Sequence, residues 1–204
     1  MVSHVPVHAC FRDFNYLRPM KKLSLEALQR MSLEEFRQSP KLPVVLVLDN
    51  VRSLHNVGSA FRTADAFRIE KIILTGITGT PPHREIHKTA LGATESVAWA
   101  YVEKTATALE RLRSQGYTIV VIEQTNESIG LHEFQPDRYG KLCLVFGNEI
   151  HGVSDEALPL ADVALEIPQE GTKHSLNVSV CVGIVCWEVL KNRVKLPPLQ
   201  HRSG

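Results

Sequence analysis

The stretch that decides the fold is Pro43-Val44-Val45-Leu46-Val47-Leu48-Asp49-Asn50-Val51-Arg52-Ser53-Leu54-His55-Asn56-Val57-Gly58-Ser59-Ala60-Phe61-Arg62-Thr63-Ala64-Asp65-Ala66-Phe67. It opens on a continuous β-branched and leucine run, Val44–Leu48, with no polar residue to turn outward. Such a run predicts a strand buried on both faces. Asn56–Phe67 then carries helical spacing, with Asn56 placed to cap it. Gly58 leaves room for another backbone or a phosphate to come close. A strand, a polar loop and a helix in so short a span begin an α/β unit.

The pattern repeats outward from there. Strands are predicted at Lys71–Leu74, Val97–Val102, Tyr117–Ile122, Leu142–Phe146 and Val163–Ile167. Helices are predicted at Pro82–Ala90, Thr105–Ser114, Ser154–Leu160 and Ser175–Asn192. Upstream, residues 24–38 read as helical from a cap at Ser24, with a capping box at Ser32-Leu33-Glu34-Glu35 where the helix can restart. Ser39-Pro40-Lys41-Leu42-Pro43 reads as a linker. Alternation with short connections predicts an α/β fold, a mostly parallel sheet with helices on both faces. The organisation expected is a basic helical extension at 1–41, an α/β body at 42–193 and a basic tail at 194–204. Ligands of such sheets bind outside the carboxyl ends of the strands, which directs attention to the loops after Leu48, Ile122, Phe146 and Ile167.

Composition narrows the classes. The 204 residues are 44% hydrophobic and 22% charged, an ordinary globular balance. No apolar run approaches the roughly 20 residues of a membrane span, and the first residues lack a signal-peptide profile. Cys10, Cys143, Cys181 and Cys186 form no C-x-x-C pair and read as thiols of a reduced cytoplasm. The formal net charge of +1 hides an uneven distribution. Residues 1–41 hold seven Lys/Arg and four Asp/Glu, a net +3, and residues 191–204 hold four basic residues and no acid. The part between is left with a net −6. Basic ends on an acidic body fit nucleic-acid contact as well as ordinary solvated termini.

Several site patterns are absent: no G-x-G-x-x-G follows the first strand, and there is no P-loop or G-x-S-x-G elbow. The missing glycine fingerprint weighs against a nicotinamide oxidoreductase. His83 and His87 are spaced i, i+4, but Glu85 does not stand where a zinc protease needs it, so no metal is expected there. The chemistry is concentrated in three loops. The first carries Asn56 and Arg62; its structural alternative is an Arg62–Asp65 pair. The second is Phe146-Gly147-Asn148-Glu149-Ile150-His151-Gly152, where Asn-Glu between two glycines is costly to bury unless bonded. The third is Ile167-Pro168-Gln169-Glu170-Gly171-Thr172-Lys173-His174-Ser175-Leu176-Asn177, which puts Ser175 and Asn177 at the mouth of an apolar helix.

Together these loops resemble the SPOUT superfamily, specifically its SpoU-type (TrmH-like) tRNA/rRNA 2′-O-methyltransferases, from about Val44 to Glu188. The first family motif matches at Asn50, Asn56, Gly58, Arg62, Thr63 and Ala64. The second matches at Gly147-Asn148-Glu149 and Gly152. The third matches at Ile167-Pro168, Gly171 and Ser175–Val180, with Glu188. Departures stand at Ser53-Leu54, in place of Asp-Pro or Asn-Pro, at Gln169, in place of Met, and at Arg68, in place of a frequent Gly.

The resemblance implies a C-terminal trefoil knot. It implies a pocket for S-adenosylmethionine formed by Gly147, Ile167 and Leu176, with Glu123 and Gln124 contributing. It implies a catalytic group of Arg62, Asn56, Glu149, Ser175 and Asn177 acting on a ribose 2′-hydroxyl. It also implies a homodimer whose subunits complete the site together, with the apolar last helix as the natural interface. An arginine stays protonated, so Arg62 is read as gripping a phosphate that takes the proton. Larger members carry an N-terminal RNA-binding domain, for which about 40 residues here leave no room. The short basic ends resemble those of tRNA-modifying members, so tRNA is favoured over rRNA. The alternative class is a non-catalytic RNA-binding factor on the same scaffold.

Overall fold

The computed structural model describes residues 22–24, 28 and 30–193. The chain divides into two compact units, Met1–Arg30 with Leu199–Gly204, and Met31–Pro198. The first lies almost wholly outside the described residues, as do Cys10, most of the basic N-terminal extension, residues 25–27 and 29 of the expected helix, and the tail 194–204. The second unit holds the sheet and the helices packed on it.

A short helix α1, Leu33–Gln38, starts at the expected capping box: Ser32 Oγ accepts the Glu35 N–H and Glu35 accepts the Ser32 N–H at 2.7 Å. Phe36 enters the core, and the Arg37 guanidinium donates to the Glu95 carbonyl. The body then alternates as β1 (Leu42–Asp49), α2 (Leu54–Ala66), β2 (Ile69–Thr75), α3 (Arg84–Ala90), α4 (Ala93–Ser96), β3 (Ala98–Val102), α5 (Thr105–Ser114), β4 (Tyr117–Ile122), β5 (Ile129–Gly130), β6 (Lys141–Phe146), β7 (Val163–Glu166) and α6 (Val178–Arg193). The seven strands form one sheet in the order β3-β2-β1-β6-β4-β7-β5. Every pairing among them is parallel.

Side-chain alternation along the central strands explains the unbroken apolar run. Val44, Leu46 and Leu48 pack into one core with α2, α3 and α6, while Val45 and Val47 pack into a second with α5. A strand between two cores can spare no polar position. Helix α2 buries Val57, Ala60, Phe61 and Ala64, one stripe at i, i+3, i+4 and i+7. Gly58 makes room for a backbone, as one of its two readings expected: a Cβ there would lie 2.3 Å from the Ile86 carbonyl oxygen. Helix α3 therefore lies flush across α2.

Several expected boundaries move, most by one or two residues; the following bear on the site. Ser53, not Asn56, caps α2: its Oγ accepts the Asn56 N–H. Helix α6 begins at Val178 rather than Ser175, because Asn177 is the cap: its side-chain oxygen accepts the Ser179 N–H at 2.9 Å and its carbonyl accepts the Cys181 N–H. The helix expected at Ser154–Leu160 reduces to a turn and a single 3₁₀ turn, Leu158–Leu160, with Pro159 inside it and the Ser154 N–H held by Asp49. Arg68 sits at φ 50°, the left-handed region where glycine is freer, which explains why glycine suits that position. Helix α6 buries Val178, Val182, Val185, Cys186 and Val189 yet leaves Val180, Ile184 and Trp187 exposed. It is apolar all round. Among the described residues no helix is long and apolar enough to cross a membrane.

Candidate active site

The site is built from three loops at the carboxyl ends of β1, β6 and β7. The first begins where β1 delivers Asp49 into the interior, fully buried. Its Oδ1 accepts the Thr105 hydroxyl at 2.6 Å and the Asn50 amide at 2.8 Å, and its Oδ2 accepts the Ser154 N–H at 2.7 Å. The Thr105 and Thr75 hydroxyls are 2.7 Å apart, and Thr75 and Thr78 both donate to the Leu48 carbonyl. Asn50 turns the chain at φ 56°, a left-handed conformation that asparagine tolerates, and its side-chain oxygen accepts the Ile77 N–H. With Ser53 serving as cap, Asn56 has its side chain free for the site.

The second loop closes on itself. Asn148 and Gly152 exchange backbone hydrogen bonds of 2.8 and 2.9 Å. Asn148 Oδ1 accepts the N–H groups of Ile150 and His151, and its Nδ2 donates to the Asn50 carbonyl at 2.6 Å. A Cβ on Gly147 would lie 2.1 Å from the Gly152 carbonyl carbon, so no other residue fits there. Glu149 reaches across to the first loop. Its oxygens accept the Arg52 N–H at 3.0 Å, the Ser53 N–H at 3.1 Å and the Asn56 amide at 3.0 Å. Burial pushes its pKa up, but these donors outweigh that and hold the carboxyl below its ordinary value. Asparagine and glutamate between glycines are thus fully bonded, as their cost requires.

The third loop brings Asn177, whose amide donates to Asn56 Oδ1 at 3.2 Å. Glu149, Asn56 and Asn177 form one chain of side-chain hydrogen bonds across three loops. Beside it opens a cavity of about 600 Å³. All the residues expected to hold a cofactor line it: Glu123, Gln124, Gly147, Ile167 and Leu176. Glu149, Ser175 and Asn177 line it as well, so the structure brings them together with Asn56 at the rim. Glu123 accepts the Val153 N–H at 2.9 Å, and Gln124 donates to the His174 carbonyl at 3.0 Å, tying β4 to both loops.

Arg62 stands apart. It lies in a second hollow of about 460 Å³ with Lys88, Phe67 and Gly183, and it makes no hydrogen bond or ion pair among the described residues. Asp65, its alternative partner, instead accepts the Ser96 hydroxyl. His83 is occupied as the cap of α3, its Nδ1 accepting the Glu85 N–H. The sequence reading missed Asp49, Thr105 and Ser154, which fasten the first two loops together. The one available signal was an acid closing an apolar strand. It also missed Cys181 as part of the cavity wall.

The sequence profile of the SpoU rRNA Methylase family matches residues 43–187. The 23S rRNA (guanosine-2′-O-)-methyltransferase RlmB of Pseudomonas aeruginosa is 30% identical over 169 residues, 82% of this chain and 66% of that protein. The tRNA (guanosine(18)-2′-O)-methyltransferase of Aquifex aeolicus is 31% identical over 167 residues, 79% of this chain and 75% of that protein. Among solved structures, an AdoMet-bound rRNA methyltransferase from Sinorhizobium meliloti superposes with a TM-score of 0.70 at 27% identity, over 82% of this chain and 63% of that one. The chain spans 60 to 66% of the length of the first curated relatives it matches.

Proposed function

The chain belongs to the SpoU rRNA methylase family, and from that premise we propose that it transfers a methyl group from S-adenosylmethionine to a ribose 2′-hydroxyl of RNA, with tRNA as the first target. The observation that carries the reading is the Glu149–Asn56–Asn177 chain at the rim of the cavity. Three loops far apart in sequence spend polar side chains on one another at the end of the sheet where α/β proteins bind ligands.

The residues fit the cofactor. The cavity volume lies in the range of small-molecule sites. Ile122, Leu165, Ile167 and Leu176 offer an apolar seat for adenine, and Glu123 and Gln124 offer polar ends for the ribose. Bound there, S-adenosylmethionine supplies an electrophilic methyl group on a sulfonium. The loops Gly147–Gly152 and Ile167–Leu176 are read as the threaded part of a trefoil knot. The contact of Gly147 with the Gly152 backbone and the place of β6 between β1 and β4 support that reading.

Glu149 is a poor general base: its oxygens already accept three donors and its pKa is lowered. It positions the first loop. Asn56 and Asn177 orient the ribose, and Ser175, exposed on the cavity wall, can bond its hydroxyls. The proton of the 2′-hydroxyl passes to a phosphate oxygen gripped by Arg62, which keeps its own protons.

Arg62 reaches a cavity if two copies pair, one supplying the arginine and the other the pocket. The unpartnered arginine beside Gly183 of α6, and the exposed Val180, Ile184 and Trp187 on that helix, support a homodimer. The free thiols Cys143, Cys181 and Cys186 support a cytoplasmic location. A second target, rRNA, is favoured by the names of the first curated relatives. Labelled methyl transfer to bulk tRNA and to rRNA, each stripped of its own modification, tests the proposal. Incorporation as a 2′-O-methyl nucleotide supports it, its place choosing between the two RNAs. Absence from both, with no cofactor binding by calorimetry, refutes it. An inactive Arg62→Ala mixed with an inactive Gly147→Ala regains activity if the site is shared.

A further inference from the structure

We propose that the outer flank of α3, with Arg84 and Lys88 as its cations, is a track for RNA phosphates that leads to Arg62. This rests on the proposed action on RNA and names the surface of the protein that would carry it.

Helix α3 is pressed onto α2 at Gly58, and the Thr89 hydroxyl donates to the His55 carbonyl at 3.0 Å. The two helices therefore present one outer surface. Lys88 shares the hollow that holds Arg62 while pairing with Glu85 at 2.7 Å, so it links that hollow to the surface of α3. Arg84 stands one helical turn before Lys88 on the same flank, exposed and with no partner among the described residues. Side chains four apart on a helix lie about 5–6 Å apart at their Cβ atoms, a step comparable to that between neighbouring phosphates of a strand.

Helices α2 and α3 hold Arg62, Arg84 and Lys88 against two acids, Asp65 and Glu85. Asp65 accepts the Ser96 hydroxyl, and Glu85 is engaged by Lys88 and by His55, each at 2.7 Å, so both repel an anion less than free carboxylates would. On the other side of the sheet, residues 103–115 carry three Lys/Arg against two acids, and Arg113 is committed to Asp162 at 2.9 Å. Arg62 and Arg84, unlike Arg113, thus stay uncommitted among the described residues. Phosphate contacts of this kind fix the register of the RNA without reading its sequence.

The test uses the full chain and bulk tRNA, which supplies phosphates whichever RNA is methylated. Binding is measured by filter retention across a salt series for the wild type, for R84Q/K88Q and for the control K104Q/R111Q on the α5 face. The α3 variant binds about tenfold more weakly at low salt, and its log–log salt slope falls by about 1.4–1.8, the value for two lost contacts. The control stays within about twofold. Cofactor affinity and melting temperature stay unchanged in both. An α3 variant that binds like the wild type, or a control that loses as much, overturns the proposal. Loss confined to the α3 variant in a protein that transfers no methyl group supports the surface while removing the enzymatic reading.

Discussion

Replacing Asp49 by asparagine tests whether the buried network beneath the site holds it in shape. The carboxylate accepts three donors, from Thr105, Asn50 and Ser154, at 2.6, 2.8 and 2.7 Å, and is fully buried. The amide keeps the volume but turns one acceptor into a donor. With its oxygen toward Thr105 and Asn50, its NH₂ faces the Ser154 N–H, and that bond is lost. The two remaining bonds fall from charged to neutral strength, about 1 kcal/mol each, and a buried donor left unpaired adds about 1–2 kcal/mol. With its oxygen toward Ser154, the hydroxyl chain Thr105–Thr75 can reverse, but the Asn50 amide is stranded. Either way the cost is about 3 kcal/mol, which lowers the unfolding midpoint by roughly 6–12 °C for a chain of this size. Ser154 follows the loop that forms the cavity by two residues, so cofactor affinity falls as well. Calorimetry gives both quantities. Thr105→Val, which removes one donor, costs about half as much, and combining it with D49N costs less than the sum. A D49N protein that melts within about 2 °C of the wild type, with unchanged cofactor affinity, would show the network to be incidental.

Gly147→Ala forces a methyl group into the Gly152 backbone at 2.1 Å and abolishes cofactor binding with a smaller loss of fold, read by calorimetry beside circular dichroism. Glu149 has a lowered pKa in the folded protein. Its contribution to stability is therefore complete above the unfolded value of 4.5 and is lost as pH falls through the lower folded value. Glu149→Gln flattens that part of the acid limb of a stability–pH curve; an unchanged limb removes the assignment. Arg68→Gly relieves a left-handed arginine at φ 50°. It raises stability by about 0.5 kcal/mol, the strain relieved less the entropy of a free glycine, read by urea unfolding.

What the sequence made legible depended on how local the cause was. The Val44–Leu48 run sits between two cores and could only be a central strand. Thr105–Ser114 and Tyr117–Ile122 carry their own stripes and stops, and their bounds agree with the structure. The errors arose where a polar residue had two possible employers. Asn56 reads as a cap until Ser53 takes that place, which leaves the amide for Glu149. Ser175 reads as the start of the last helix, but Asn177 caps it, so Ser175 stays on the cavity wall. The Asp49 network was invisible because its partners, Thr105 and Ser154, lie 56 and 105 residues away. The separation of Arg62 from the cavity was equally out of reach, since no spacing along the chain records which hollow a helix faces.

The order of the strands also governs when this protein can fold on a ribosome. Strands β1, β2 and β3 are neighbours and can pair as they emerge. Strand β4 has its partners in β6 and β7, and β6 is also the second neighbour of β1. Until residue 146 has left the exit tunnel, Val44–Leu48 keeps an open apolar edge and β4 waits without a partner. The nascent chain thus passes through a half-sheet stage of some length, open to strand addition from other chains. A chaperone that covers that edge would raise the yield of native protein more than any change made in the last helix.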